Sequence, residues 1–285
     1  MKPIPFNLDD FILRALEEDL GDGDHTSLSC IPKDAKRKAR LLVKEPGVLA
    51  GMQVAKLVFY HVDPELQMEE LLKDGDEVVP GDVAFYVTGS AQSILQAERL
   101  MLNIMQRMSG IASMTHRVSK TISHTKTHLL DTRKTTPNMR YLEKWAVRIG
   151  GGVNHRFGLY DMVMIKDNHV DYAGGIDKSL ERVRAYLKKK NLKIAIEVEA
   201  RNLAEVKEIL NAGGADRIML DNFSPEEVKE AVLFIDGRAE TEASGGITPE
   251  TILPYAEAGV DFISMGALTH SVKSLDLSLK AVEES

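Results

Sequence analysis

Residues 131–140, with the sequence DTRKTTPNMR, place a compact group of cations directly after the apolar segment HLL. The chain as a whole has a formal net charge of −7, so this local excess of positive charge needs an explanation. More cations follow in the segment GGGVNHRFG and after the apolar segment DMVMI. Arginine offers a planar fork that matches a carboxylate or a phosphate, and lysine offers a point charge. Clustered cations repel one another, so they predict an anion-binding site. The residues concerned are Arg133, Lys134, Arg140, His155, Arg156 and Lys166.

Two later segments, SGGIT and GALTHS, each combine glycine with the expected start of a helix. Glycine lets backbone N–H groups approach an oxyanion closely, and the helix N-terminus adds a favourable dipole. In β/α barrels the last two strand–helix loops commonly bind phosphate. The segments therefore predict a phosphate site, to which these residues contribute: Ser244, Gly245, Gly246 and Gly266.

Acidic residues also end predicted strands. Alternation in KIAIEVEA places the aliphatic residues on one face and Glu197 and Glu199 on the other, buried face, where a carboxylate needs a partner. Glu199 is nearer the end of the strand and is the better functional candidate, whereas Glu197 is expected to pair with a buried cation. Glu199 and Asp221 are candidates for holding Mg²⁺ or ribose hydroxyls. His169 has two interpretations that stay open, a helix cap or a contact in the site.

These residues must be positioned by the elements of the C-terminal part. After about residue 125, helical stretches alternate with the apolar segments THLL, DMVMI, KIAIEVE, DRIMLD, AETEAS and DFISMG. Such alternation predicts a parallel sheet covered by helices. Polar residues end nearly every strand. In a β/α barrel those ends converge on one face, whereas an open sheet spreads them along a line, so a barrel is predicted.

The part before about residue 110 has a different character. An amphipathic helix is predicted at about 8–20, strands in the segments ARLLVKEPGVLAG and VAFYVTGS, and a long helix from about Ala91. Composition is that of a globular protein, with 44% apolar and 28% charged residues. No apolar run approaches the roughly 18 residues that span a bilayer, and the N-terminal residues lack a signal-peptide layout. Cys30 is the single cysteine, which excludes an internal disulfide. These features predict a cytoplasmic protein. The acidic balance argues against nucleic-acid binding.

Motifs occur along the whole chain in the order LEEDLGDGDHTS, ERLMLNIMQRMSGIAS, DTRKTTP, KWAVRIGGGVNHRFGLYDMVMIKDNH, EVE, LDNF, SGGIT and GALTHS. They resemble those of quinolinate phosphoribosyltransferases, the enzymes of de novo NAD synthesis that form nicotinate mononucleotide, pyrophosphate and CO₂ from quinolinate and phosphoribosyl pyrophosphate. The resemblance implies an α/β fold with an N-terminal open-faced α+β sandwich, residues 1–110, and an incomplete, seven-stranded α/β barrel, residues 111–271. A C-terminal helix, residues 272–285, would join the sandwich.

The resemblance also implies roles for individual residues. The carboxylates of quinolinate would be bound by Arg133, His155 and Arg156, with Lys134 and Lys166 alongside. Mg²⁺ and the ribose hydroxyls would be held by Glu199 and Asp221. The 5′-phosphate would be bound by Ser244, Gly245, Gly246, Gly266 and His270. Candidates for the catalytic residues are Lys134, Lys166, Glu199 and Asp221.

Assembly is implied as well: the family forms homodimers at least, a hexamer being left open, and Arg99 would reach the site of the partner subunit. The chain departs from the usual family pattern Pro-Gly-Leu-Arg in having Asn138 and Met139 after the proline. Asparagine tolerates the left-handed conformation, so the turn is expected to survive.

Several alternatives stay open. A nicotinate-specific phosphoribosyltransferase needs to bind one carboxylate only, and a molybdenum-transport-associated relative shares the fold. An aldolase-type barrel would use Lys166 as a Schiff base, which requires a free amine. A carrier module rests only on the hairpin-like stretch KDGDEVVPGDVAFYVTG.

Overall fold

The computed structural model describes residues 6–282. The described residues divide into two compact units, the first formed by 6–116, 141–151 and 272–282, the second by 117–140 and 152–271. The division differs from the predicted 1–110 and 111–271 chiefly because residues 141–151 belong to the first unit. No helix in the described part of the chain is both long and apolar enough to cross a membrane.

Strands and helices alternate along most of the chain. In chain order they are α1 (Leu8–Leu20), α2 (His25–Cys30), β1 (Lys36–Val43), β2 (Gly47–Val48), α3 (Met52–Val62), β3 (Gln67–Glu70), β4 (Glu77–Val78), β5 (Val83–Ser90), α4 (Ala91–Thr121), β6 (His128–Leu130), α5 (Arg140–Ile149), β7 (Met162–Ile165), α6 (Asp167–Ala173), α7 (Ile176–Lys190), β8 (Ala195–Ala200), α8 (Leu203–Ala212), β9 (Arg217–Asp221), α9 (Pro225–Ile235), β10 (Glu240–Ser244), α10 (Ile252–Glu257), β11 (Phe262–Ser264), α11 (Ala267–His270) and β12 (Leu277–Ala281).

The first unit is built on an antiparallel sheet with the strand order β12-β1-β5-β3. The predicted helices at about 8–20 and from Ala91 are confirmed as α1 and α4. Helix α1 starts where the side chain of Asn7 accepts a hydrogen bond from the backbone N–H of Asp9 at 3.0 Å, which satisfies an otherwise unpaired donor.

The helix predicted for residues 272–285 is wrong, because Leu277–Ala281 forms strand β12 beside β1. Leu277 and Leu279 are buried and alternate with more exposed residues, the two-residue period of a half-buried strand. The sequence LSLKA contains that period, so the pattern itself argued against the helix.

The second unit is a parallel sheet with the order β6-β11-β10-β9-β8-β7, and helices connect successive strands. The predicted α/β class is confirmed. Where a seventh strand was expected, a single bridge joins Val153 to Leu130 at the outer edge of β6. Three glycines precede Val153 in the segment GGGV, and glycine is a poor strand former.

The sheet is strongly curved. His155, two residues beyond the bridge at the β6 edge, lies 3.0 Å from Glu197 on β8 and 3.3 Å from Glu242 on β10. In a flat sheet β8 would lie about 24 Å from that edge, at about 4.8 Å per strand. The contacts therefore require the sheet to close on itself, as an incomplete barrel whose interior contains these side chains.

Gly110, in the middle of α4, is predicted to be essential for packing in the first unit. A Cβ at this position would lie 3.1 Å from the Cα of Ser274 and would overlap the carbonyl oxygen of Lys273. We expect Gly110→Ala to lower the free energy of unfolding by about 1–3 kcal/mol, the usual cost of overpacking, although alanine favours helix by itself. Denaturant unfolding measures this effect.

The matched control is Asn103→Ala at an exposed position of the same helix, which gains helix propensity without a new contact. If Gly110→Ala stabilises the protein as much as Asn103→Ala does, the close approach to Lys273 and Ser274 is refuted.

Candidate active site

The carboxyl ends of neighbouring strands bring several predicted site residues together in the second unit. Asp221 on β9 lies opposite Ser244 on β10 in the strand register. The hydroxyl of Ser264 donates to that of Ser244 at 3.0 Å. These residues sit at the end of the barrel where β/α enzymes place their active sites.

The glycines of the predicted phosphate site differ in what they contact. Gly245, at φ +100°, packs so closely on Asn222 that a Cβ would overlap that side chain, so glycine is required here for packing. Gly246, at φ +63°, has open space where a Cβ would lie and is exposed. Gly246 is therefore the better placed of the two for a backbone contact with a ligand.

A third glycine, Gly266, lies where the segment DTRKTTPNMR, residues 131–140, approaches the turn between β11 and α11. A Cβ on Gly266 would lie 2.9 Å from the Cδ of Lys134 and 3.1 Å from the ring of His270. The hydroxyl of Thr269 also donates to the carbonyl of Lys134 at 2.7 Å. Lys134, Gly266 and His270 are thus neighbours, as a site that binds a phosphate requires.

Arg133 and Arg156 form a pair of cations, and the negative charges of Glu197 and Asp161 act on Arg156 only from beyond ion-pair distance. Arg156 is half-buried and donates to the carbonyl of Met162 at 3.3 Å. Burial first, and then the positive charge of Arg133, lower the pKa of Arg156. Within residues 6–282 no carboxylate lies within 4.0 Å of either guanidinium. An anion bound between two guanidinium groups relieves their mutual repulsion, so this pair favours an anionic ligand.

Arg140 belongs to the scaffold of this site. Its guanidinium donates to the hydroxyl of Thr135 at 3.0 Å and to the carbonyl of Phe157 at 3.1 Å. It therefore connects the segment DTRKTTPNMR with the segment GGGVNHRFG. The turn before it is intact because Asn138 adopts φ +64°, as expected for an asparagine in place of glycine.

His155 is almost completely buried, with 5% of its side chain exposed. Its Nε2 faces Glu197 and Glu242, and its Nδ1 lies 2.6 Å from the backbone nitrogen of Arg156, which donates to it. Both ring nitrogens therefore contact protein atoms. Glu197 therefore faces His155, which is a cation only when it is protonated, so the pairing of Glu197 with a buried cation stays a prediction.

The ionisation of this group is strongly coupled. Burial lowers the pKa of His155, but hydrogen bonds and charges of Glu197 and Glu242 outweigh it and raise that pKa to about 9. Burial raises the pKa of Glu197 to about 7. Contacts with His155 and Ser264 outweigh burial and hold the pKa of Glu242 below its usual range. Because Nδ1 of His155 accepts from the amide of Arg156, the proton of this group lies among Nε2 of His155 and the carboxylates of Glu197 and Glu242.

Two buried residues of this group, Arg217 and Glu242, are absent from the sequence predictions. Arg217 on β9 donates to Glu242 at 3.1 Å and to the more exposed Glu240 at 3.0 Å. The segment AETEAS repeats the alternation of acidic residues seen in KIAIEVEA, so the inward position of Glu242 could have been recognised from the same period of two.

Lys166 and Glu199 form an ion pair, with 2.9 Å between Nζ and Oε2. Asp221 accepts a hydrogen bond from the side chain of Asn222 at 2.7 Å. His169 accepts from the backbone N–H of Lys166 at 2.9 Å, which supports the interpretation of His169 as a helix cap.

The donor set at this rim fits a magnesium ion. Oxygen ligands are what Mg²⁺ prefers, and one or two carboxylates suffice when substrate and water supply the rest. Glu199 and Asp221 lie on neighbouring strands and on the same face of the sheet, since Glu199 pairs with Met219, two residues before Asp221. Arg99 lies in the first unit, where it is exposed on α4.

Comparisons with known proteins agree with this geometry. The family model described as quinolinate phosphoribosyl transferase, C-terminal domain, matches residues 111–280, and the model of the N-terminal domain matches residues 24–109. The chain is 50% identical over 290 residues to the carboxylating nicotinate-nucleotide pyrophosphorylase, chloroplastic, of Arabidopsis thaliana. The alignment covers 96% of this chain and 83% of the relative.

Further relatives give the same result. Decarboxylating quinolinate phosphoribosyltransferase 1b of Nicotiana tabacum is 48% identical over 290 residues, covering 96% of this chain and 82% of the relative. The crystal structure of NadC from Streptococcus pyogenes matches with a TM-score of 0.92 and 41% identity, over 99% of this chain and 100% of that one. The chain belongs to the quinolinate phosphoribosyl transferase family.

Proposed function

We propose that this chain transfers the phosphoribosyl group of phosphoribosyl pyrophosphate to quinolinate and removes one carboxylate, forming nicotinate mononucleotide, pyrophosphate and CO₂. The observation that carries the proposal is the pair of guanidinium groups of Arg133 and Arg156, whose positive charges repel each other. Quinolinate has two adjacent carboxylates, and each can accept a fork of hydrogen bonds from a guanidinium group.

The remaining site residues divide between the two substrates. Lys134 lies beside Gly266 and His270, so it can contact the phosphoribosyl group while Arg133 next to it binds quinolinate. The 5′-phosphate would be bound by the turn residues Ser244, Gly245, Gly246, Gly266 and His270. Their backbone N–H groups and helix ends suit an anion.

Glu199 and Asp221 would hold Mg²⁺, which when bound neutralises the charge of the departing pyrophosphate. Lys166 is held by Glu199 before substrate arrives. A lysine in this place can then contact a carboxylate or phosphate oxygen of the substrates.

In the reaction, a bond forms between the pyridine nitrogen and the anomeric carbon while the bond to pyrophosphate breaks. Positive residues around the site hold two anionic substrates close together, which lowers the cost of their encounter. The pyridinium nitrogen then stabilises the electron pair left on the ring carbon when CO₂ departs, and that carbon takes up a proton. Lys134, Lys166 and water are the candidates for the proton donor.

Two observations bear on the alternatives. A Schiff base requires a free amine, whereas the ammonium group of Lys166 is 2.9 Å from the carboxylate of Glu199. A nicotinate-specific enzyme would present one carboxylate to two unneutralised guanidinium groups. Both alternatives leave part of the site without a role.

We further propose a cytoplasmic homodimer in which Arg99 of each chain completes the site of the other. Arg99 is exposed, as a residue that reaches a second chain must be. Neither the location nor the assembly follows from family membership alone.

The activity is tested by incubating the purified protein with Mg²⁺, phosphoribosyl pyrophosphate and quinolinate labelled in the 2-carboxylate. We expect release of labelled CO₂ in equal amount to nicotinate mononucleotide, and no product when nicotinate replaces quinolinate. Absence of CO₂ release, or equal turnover of nicotinate, would refute the proposed function. Omission of Mg²⁺ with a chelator present is expected to abolish turnover, which tests the metal separately.

A further inference from the structure

His155, Glu197, Arg217 and Glu242 form a buried charge cluster inside the barrel. Glu197 and Glu242 have no exposed surface, and Arg217 is 9% exposed. The cluster is held by contacts of 3.0 Å from His155 to Glu197, 3.3 Å from His155 to Glu242 and 3.1 Å from Arg217 to Glu242. Buried ion pairs often contribute no more stability than apolar residues of similar size, so stability alone does not explain this cluster.

A metal ion is not the best occupant of the cluster, although His155, Glu197 and Glu242 offer ligand atoms within 4.8 Å of one another. Arg217 already pairs with Glu242, and His155 faces both glutamates. A divalent cation would add two charges beside a guanidinium group, which the low-dielectric interior disfavours.

The cluster is connected to the cationic site by the ring of His155. At one end of the ring, Nε2 contacts the two glutamates. At the other end, Nδ1 accepts the backbone N–H of Arg156 at 2.6 Å. Asp131 holds the other side of the turn, because it accepts from the backbone N–H of His155 at 2.9 Å and from Asn154 at 2.6 Å. The ring thus links the barrel interior to the backbone of Arg156.

We propose that Glu242, supported by Arg217 and Glu197, is a positioning residue for quinolinate: the cluster fixes the ring of His155, which fixes Arg156 at the spacing from Arg133 that two carboxylates require. The inference rests on the proposed function. Glu242 is fully buried, so it acts on the substrate only through His155 and Arg156. Displacement of a binding group by about 1 Å can cost up to about 100-fold in rate.

The test compares Glu242→Gln with Glu240→Gln. Both positions lie on β10 and both side chains contact Arg217, but Glu240 is 55% exposed, and the described ion pairs of His155 are with Glu197 and Glu242. For Glu242→Gln we expect KM for quinolinate to rise about tenfold, with kcat and KM for phosphoribosyl pyrophosphate changed less than about threefold, since a small displacement weakens one contact only. Glu240→Gln should leave all three values unchanged.

Glu242→Gln leaves Arg217 without its buried partner and can therefore misfold. A second variant keeps the test valid in that case. Glu197→Ala removes the carboxylate nearer to Nε2 of His155 without unpairing Arg217, and it should also raise KM for quinolinate selectively. Glu197→Gln keeps a group that can donate to Glu242, so it should recover most of the quinolinate affinity that Glu197→Ala loses.

The outcomes separate this inference from the proposed function. If the native protein does not turn over quinolinate, the proposed function fails. If the native protein is active and the folded variants Glu242→Gln and Glu197→Ala keep the native KM for quinolinate, or lose both substrates equally, the positioning role is overturned.

Discussion

Arg133→Ala is expected to lower kcat/KM for quinolinate by about 100- to 1000-fold, corresponding to about 3–4 kcal/mol of binding to the transition state. The reason is the pair of mutually repelling guanidinium groups that Arg133 forms with Arg156. A carboxylate that enters the site without Arg133 loses a charge-assisted contact, and such contacts are stronger than neutral hydrogen bonds. Steady-state kinetics with quinolinate as the varied substrate measures the loss.

Two control variants show whether the fork of Arg133 or its charge alone is required. Arg133→Lys keeps the charge but loses the planar pair of donors, so it is expected to retain an activity between those of the native protein and Arg133→Ala. Arg201→Ala removes a surface arginine that pairs with Glu205, and pairs of this kind contribute little, so activity should be unchanged. If Arg133→Ala raises only KM for phosphoribosyl pyrophosphate, then Arg133 binds the phosphoribosyl substrate instead.

Much of the second unit could be predicted because each strand contains a local signal. Short apolar segments alternate with helices, and the predicted α/β class is confirmed. In place of the expected seventh strand, the structure has a single bridge between Val153 and Leu130. No local sequence pattern distinguishes one bridged residue from a short strand. Strand β12 was missed although LSLKA has a period of two. The family resemblance implies a helix there, whereas the local pattern indicates a strand.

The site was predictable where residue type decides function and less so where tertiary contacts do. Arginine and lysine in two adjacent loops indicated an anion site, and the structure brings Lys134 close to Gly266 and His270. The orientation of His155 could not be read from the segment VNHRF, because it depends on Glu242, which is 87 positions away in the sequence and meets His155 only when the sheet closes. The curvature of the sheet determines which residues of distant strands meet. No short segment of the sequence specifies that curvature.

Arg99→Ala is expected to abolish turnover of quinolinate while leaving the unfolding temperature and the proposed dimer unchanged. Arg99 is exposed on α4, and exposed residues away from packed contacts usually change stability by less than about 0.5 kcal/mol. A large loss of activity at such a position therefore indicates contact with substrate rather than loss of structure. Sedimentation and thermal unfolding provide the control measurements for the purified variant.

Mixing Arg99→Ala chains with Arg133→Ala chains then decides which subunit uses Arg99. If Arg99 acts in the partner's site, the site of the Arg99→Ala chain in a hybrid dimer has its own Arg133 and the partner's Arg99, so it is intact. Random exchange in equal amounts should restore about a quarter of the native activity, since half the dimers are hybrids with one working site of two. If Arg99 acts in its own chain, every site in the hybrid lacks one arginine, and no activity returns. Differently tagged chains, isolated by both tags, establish that hybrids have formed, so an inactive hybrid would refute a shared site and leave Arg99 with a role within its own chain.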